Sequence, residues 1–185
     1  MAALGGRVVE RRVIALQNGA SDVVGRSLAR FAALRRSEGW RVAGCVEETG
    51  GVAGAGCSGR AVRDLTTGRR HVIGQDLGPG SLACHLDPAG VAAACVDALA
   101  AIEGECDLVV LSKFGKLEAE RSGLVDAFAA AILRDLPIVT SVAPAFSGAW
   151  GAYAGDLAVY AEPTDAALER WWRAVRPDAP LRAAG

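Results

Sequence analysis

Aromatic residues make up only 5% of this 185-residue chain, and the sequence carries no CxxC pair and no run of eighteen apolar residues. With so few rings the core must be built from small and aliphatic side chains, and at 51% hydrophobic residues that core is sizeable. The five cysteines, at 45, 57, 84, 95 and 106, are odd in number and lack paired spacing. That excludes a disulfide framework and fits a reducing, cytoplasmic setting. The missing apolar run excludes a membrane-spanning helix, and the opening MAALGGRVVERR is too polar after its short apolar start for a signal peptide. The formal charge is −1, with no basic run to track a phosphate backbone, which excludes a nucleic-acid-binding role. The length suits one domain, residues 1–185, with a tail expected to fray from about residue 177.

What is present is an alternation of short apolar runs with helical periodicity. Residues 12–17 read as a buried strand. Leu28, Phe31, Ala32 and Leu34 then set a helix from Gly25 to Glu38, stopped by Gly39. Residues 40–48 read as a second strand, and 61–76 as a hairpin turning at Thr67-Gly68. A helix runs from Pro88 to Ile102, with Asp87 as N-cap and proline at the first position. Strands follow at 107–111, 136–143 and 156–161, a helix at about 121–134, a short apolar loop with Trp150 and Tyr153, and a last helix capped by Thr164. The pattern predicts an α/β fold whose parallel sheet is covered on both faces, with the hairpin as an antiparallel insertion. Loops 18–25, 112–120 and 143–152 then share the rim at the carboxyl ends of the strands, where ligands sit in such folds. The Gly-rich loops 49–59 and 75–87 are placed to fold over them.

Residues Ala20 to Ser27 occupy the place of the phosphate-binding pattern GxxxxGK[ST], in which backbone N–H groups and a helix N-terminus converge on phosphate oxygens. Alanine replaces the first glycine, Arg26 replaces the lysine, and Asp22 puts a carboxylate where phosphates would lie. Two readings stand side by side: an anion site formed by Asn18, Gly19, Ala20, Ser21, Gly25, Arg26 and Ser27, or a strand-to-helix turn without a ligand. The strand at 107–111 ends in Ser112-Lys113 instead of the acid that would hold Mg²⁺. Lys113 and Lys116 make the rim cationic, and Glu118 is the nearest candidate magnesium ligand; the alternative is a solvated loop with local ion pairs.

Cys57, Cys84 and His85 form a candidate soft-metal set, able to take a thiolate-seeking molybdenum species, although their spacing is not that of a zinc site. The alternative is small buried thiols, the role expected of Cys45, Cys95 and Cys106. Trp171 and Trp172 cannot both point one way on a helix. One is expected in the core, which leaves the other as a candidate partner or dimer surface.

The phrases DLGPGSLACHLDP, LVVLSKFGKLEAERSGLVDAF and DLPIVTSVAP resemble the bacterial family known as domain of unknown function 2478. The resemblance runs over about residues 12 to 160 and is most specific at Phe114-Gly115-Lys116-Leu117-Glu118. It implies a three-layer P-loop NTPase-like fold, a mostly parallel sheet with an inserted β-hairpin. The fold would be similar to that of thermophile-type nucleoside triphosphatases, which carry acidic residues where this chain has Ser112 and Lys113. Cys57 and Cys84 match cysteines of the family pattern. Members are grouped with molybdate-transporter ATPases, which implies a link to molybdenum metabolism. The expectation is a binding or accessory protein whose degenerate P-loop holds an oxyanion or a phosphorylated cofactor, with molybdate or a molybdenum cofactor as the first ligand to test. The alternatives are a Mg²⁺-dependent nucleoside triphosphatase and metal handling through Cys57 and Cys84. The expected partners are a small anion and a second copy of the chain or a component of the molybdenum system.

Overall fold

The computed structural model describes residues 11–48, 59–75 and 85–176. The chain runs β1 (Val13–Leu16), α1 (Ser21–Ser37), β2 (Val42–Glu47), β3 (Ala61–Asp64), β4 (Arg70–Val72), β5 (Gly74–Gln75), β6 (His85–Leu86), α2 (Pro88–Glu103), β7 (Leu108–Leu111), α3 (Lys116–Ala119), α4 (Val125–Leu133), β8 (Ile138–Ser141), α5 (Ser147–Ala154), β9 (Ala158–Ala161) and α6 (Asp165–Val175). The main sheet has seven strands in the order β4-β3-β2-β7-β8-β1-β9. From β2 to β9 the pairs are parallel, while β3 and β4 join as the antiparallel hairpin. This is the three-layer P-loop NTPase-like architecture.

Alternation along the strands divides the core. Ile14, Leu16, Val110 and Val139 face α1 and α6. Val13, Ala15, Val109 and Ile138 face α2, α4 and α5. Strands buried on both faces read as unbroken apolar runs, so β1 and β7 were legible. The expected caps are present: Asp87 accepts from the Ala89 N–H at 3.0 Å, and the Thr164 hydroxyl from the Ala167 N–H at 3.2 Å. The hairpin turns where expected, with Gly68 at φ 74°. Asp64, fully buried, fixes the turn by accepting from the Thr66 and Thr67 N–H groups at 3.1 and 2.6 Å. Within β2, Gly44 has φ 106°, and its Cα lies against the Val110 carbonyl of β7 with no room for a Cβ.

Three expectations are corrected. Helix α1 begins at Ser21, a full turn before Gly25. The segment with Trp150 and Tyr153 is helix α5, not a loop. Trp171 and Trp172 are both buried, at 7% and 4% exposure. Residues Ala167, Leu168, Trp171, Trp172 and Val175 of α6 form one wide apolar stripe, broad enough to take two neighbouring side chains at once. The Trp171 indole N–H donates to the Arg11 carbonyl at 3.0 Å, and Trp172 meets Trp40 edge-on at 5.3 Å between ring centres. Among the described residues no helix is long and apolar enough to cross a membrane.

At the amino end of β7, Asp107 accepts from the backbone N–H and the Nε of Arg41, both at 3.0 Å, and from its Nη2 at 2.9 Å. The Arg41 guanidinium holds the Asp107 carboxyl below the usual carboxylate range. A carboxyl depressed in the folded state contributes stability above its unfolded pKa of about 3.9, and loses it as pH falls through the folded value. Asp107→Asn is therefore expected to lower stability at neutral pH, with its difference from the parent shrinking below about pH 4. Urea unfolding at pH 7, 4 and 2.5 checks this; a constant difference across the series would contradict it.

Candidate functional site

The sheet order creates a crevice. The connection leaving β1 crosses to β2 on one side, while the chain leaving β8 passes over β1 to β9 on the other. Strand ends whose connections diverge in this way leave room for a ligand. A cleft of about 510 Å³ lies there, bounded by Asn18, Gly19 and Ser21 after β1, Glu47 at the end of β2, Lys113 and Lys116 after β7, and Ser141 at the end of β8.

Its electrostatics centre on Glu47. One oxygen of this carboxylate lies 2.9 Å from Lys113 Nζ and 3.3 Å from Arg60 Nη2. Lys116 is exposed and sits 3.9 Å from Glu120. Parallel pairing of Cys45 with Leu111 brings the ends of β2 and β7 level, which is why Glu47 and Lys113 meet. On the far wall, Ser141 Oγ donates to the Ser112 carbonyl at 2.9 Å, and Gln17 Nε2 to Ser147 Oγ at 2.9 Å. The cleft therefore gathers three cationic side chains and several hydroxyl and amide groups, with Glu47 as counter-charge to two of the cations.

The pattern at Ala20 to Ser27 does not form a phosphate cradle. Only Gln17 to Ala20 are non-helical between β1 and α1, too few to wrap a phosphate. Gly25, Arg26 and Ser27 lie in the second turn of α1. The Ser27 hydroxyl, at the position whose hydroxyl holds Mg²⁺ in a P-loop, donates to the Pro163 carbonyl at 3.0 Å. Arg26 is 2.8 Å from Asp22. Arg26 and backbone N–H groups at the helix start hold the Asp22 carboxyl below its usual range. Asn18, Gly19 and Ser21 do reach the cleft, and Gly25 keeps a place in its wall. Asn18 adopts φ 62°, a left-handed conformation that asparagine tolerates.

Glu118 is likewise no free ligand. It is 5% exposed, and its two oxygens accept the N–H groups of Gly115 and Leu124, each at 2.9 Å. The carboxylate shapes the loop that carries Lys113 and Lys116. With Ser27 engaged, Glu118 turned inward and no acid at the end of β7, these residues do not fit a P-loop magnesium–nucleotide centre.

Cys57 and Cys84 lie outside the described residues, as does most of the two Gly-rich loops. The backbone of His85 pairs with Gln75 in the β5–β6 ladder. Among the described residues no group of three or more His, Cys, Asp or Glu is gathered to hold a metal. Burial pushes the Cys45 thiol up to about 12, so it stays protonated and is a poor soft-metal ligand. His71 sits 2.8 Å from Asp97, within the hairpin–α2 contact.

Sequence reasoning missed Glu47, Arg60 and Ser141. The available signal was position alone: Glu47 and Ser141 lie near the carboxyl ends of strands that the apolar pattern had already located.

A family model described as a protein of unknown function (DUF2478) matches residues 13–171. A molybdenum import ATP-binding protein, ModC 2 of Bradyrhizobium diazoefficiens, is 37% identical over 163 residues, covering 88% of this chain and 18% of that protein. The chain thus spans less than a fifth of the length of that relative. No solved structure matches the chain.

Proposed function

The chain belongs to the DUF2478 family, and from that premise we propose that it is a binding or accessory protein that holds a small anion, an oxyanion or a phosphorylated cofactor, in the cleft at the carboxyl ends of its parallel strands. The observation that carries this reading is the convergence of Lys113, Arg60 and Lys116 on that cleft, with Glu47 bridging two of them. The three cations outnumber the one carboxylate, and a cleft of net positive charge concentrates anions, while Ser141, Ser21 and Asn18 add uncharged groups suited to oxygen atoms. Binding is favoured over hydrolysis because the described residues supply no phosphate wrap, and the carboxylate among the cleft's described lining residues, Glu47, is held by Lys113 and Arg60. The name of the longer relative makes molybdate the first oxyanion to test.

Thermal unfolding at low salt, with molybdate, tungstate or phosphate added, tests the reading. A ligand at a hundred times its Kd stabilises by about 2.7 kcal/mol, which for a domain of this size raises the midpoint by roughly 5–10 °C. The combined Lys113→Ala and Arg60→Ala substitutions are expected to abolish the shift. Glu47→Gln is expected to move it to lower anion concentration, because the cations lose their internal partner. ATP and GTP with Mg²⁺ are expected to release no phosphate. A midpoint that none of these anions moves, or one that moves equally in the double variant, would overturn the reading.

A further inference from the structure

A second hollow, of about 320 Å³, adjoins the anion cleft. Glu47, Leu86, Ser112, Lys113 and Lys116 border both spaces. Beyond them the second hollow changes character. Its walls are the aliphatic side chains of Val62, Ile73, Leu86, Val91, Ala94 and Leu124, drawn from the hairpin, the β6 strand, α2 and the loop before α4. No aromatic side chain is among its described lining residues, and its charged groups (Glu47, Lys113, Lys116, Glu118 and Glu120) come from the end of β2 and the segment after β7. Glu118 directs its carboxylate at two backbone N–H groups, while Lys113 and Lys116 pair with Glu47 and Glu120 at the mouth.

The two spaces ask for different chemistry. An oxyanion placed among the aliphatic walls would lose its water without gaining donors, which is costly. It belongs beside Lys113 and Arg60. The hollow behind is roughly twice the ~150 Å³ that accommodates a benzene ring. Resting on the anion-binding reading above, we propose that the two spaces form one site for an organic anion: a phosphate carried on an apolar body of one or two rings. The anionic end lies between Lys113 and Arg60, and the body fills the aliphatic hollow. Nucleotides are disfavoured, because the polar edges of a base would find no partners among the aliphatic walls.

Titration of the full chain with 1-naphthyl phosphate, inorganic phosphate, 1-naphthol and AMP tests the proposal. The naphthyl phosphate is expected to bind at least tenfold more tightly than phosphate, 1-naphthol or AMP, with its emission shifted to the blue and shielded from iodide. Ala94→Leu and Val91→Phe narrow the hollow, and each is expected to bring the ratio of naphthyl phosphate to phosphate affinity close to one; circular dichroism identifies which variant is folded. A ratio near one in the parent, or an emission unchanged from water, overturns the two-space site. So does a ratio unaltered in a folded variant, or AMP binding as tightly as naphthyl phosphate. In each of these cases phosphate still binds, and the anion-binding reading survives. If 1-naphthol binds while neither phosphate nor naphthyl phosphate does, the anion reading falls and this proposal falls with it.

Discussion

Gly44→Ala is expected to leave little folded protein. Gly44 lies in β2, between β3 and β7, with φ 106°, a conformation that residues with a Cβ rarely hold. An added methyl would sit well inside van der Waals distance of the Val110 carbonyl oxygen and carbon. The obstacle is backbone in a neighbouring strand, paired with Gly44 in the parallel ladder, so no side chain can swing aside. Relief would require parting two central strands. Costs above about 4 kcal/mol come from clashes of this kind, against a total stability of about 5–15 kcal/mol for a typical protein. Soluble yield is expected to collapse, and any folded fraction to melt at least about 8 °C below the parent. Glu47 stands three residues further along the same strand, so anion binding should fail together with the fold. A midpoint within about 2 °C of the parent would show that β2 relaxes around the methyl.

Glu118→Ala is expected to have the second largest effect. The substitution leaves the buried N–H groups of Gly115 and Leu124 without their carboxylate acceptor. Hydrogen bonds to a charged group contribute about 1.5–3 kcal/mol each, so a loss of about 3–6 kcal/mol is anticipated. Glu118→Gln should cost about half as much, because an amide presents one acceptor oxygen where the carboxylate presents two. The packing admits no easy substitute from the facing side: Gly123, at φ 65°, holds its Cα close against the same carboxylate. Urea titration separates the three proteins. The binding consequence is indirect, since Lys113 and Lys116 ride on the segment that Glu118 ties down, and anion affinity should fall in parallel with stability. Equal stability for Glu118→Ala and the parent would refute this role.

The architecture was legible because burial on both faces leaves a mark that a single sequence can show. β1 and β7 appear as continuous apolar runs, and Asp87 with Pro88 and Thr164 announce their helices through capping chemistry. The start of α1 was hidden because Ala20 offers no capping side chain and Gly25 resembled a loop residue. Helix α5 was hidden because Gly148 and Gly151 interrupt an alanine-rich stretch with little amphipathic contrast. The rim was partly legible: Lys113 and Lys116 announce themselves by charge. Glu47 and Arg60 do not, since Glu47 meets Lys113 and Arg60 only because β2 lies between β7 on one side and the hairpin strand β3 on the other. Glu118 looked like a free carboxylate. It folds inward because the turn it spans has N–H groups and no other acceptor to meet them.

The contact between Glu47 and Lys113 has a last consequence. The lysine is already occupied by an intramolecular rival, tethered 2.9 Å away, whose effective concentration no dilution can reduce. A guest must evict it to be held. Weak, singly charged ions such as chloride offer Lys113 no more than it has, so they gain little. On the anion-binding reading, a doubly charged tetrahedral group that engages Arg60 in the same step is expected to displace Glu47 more readily, so that Glu47 would sort visitors by valence.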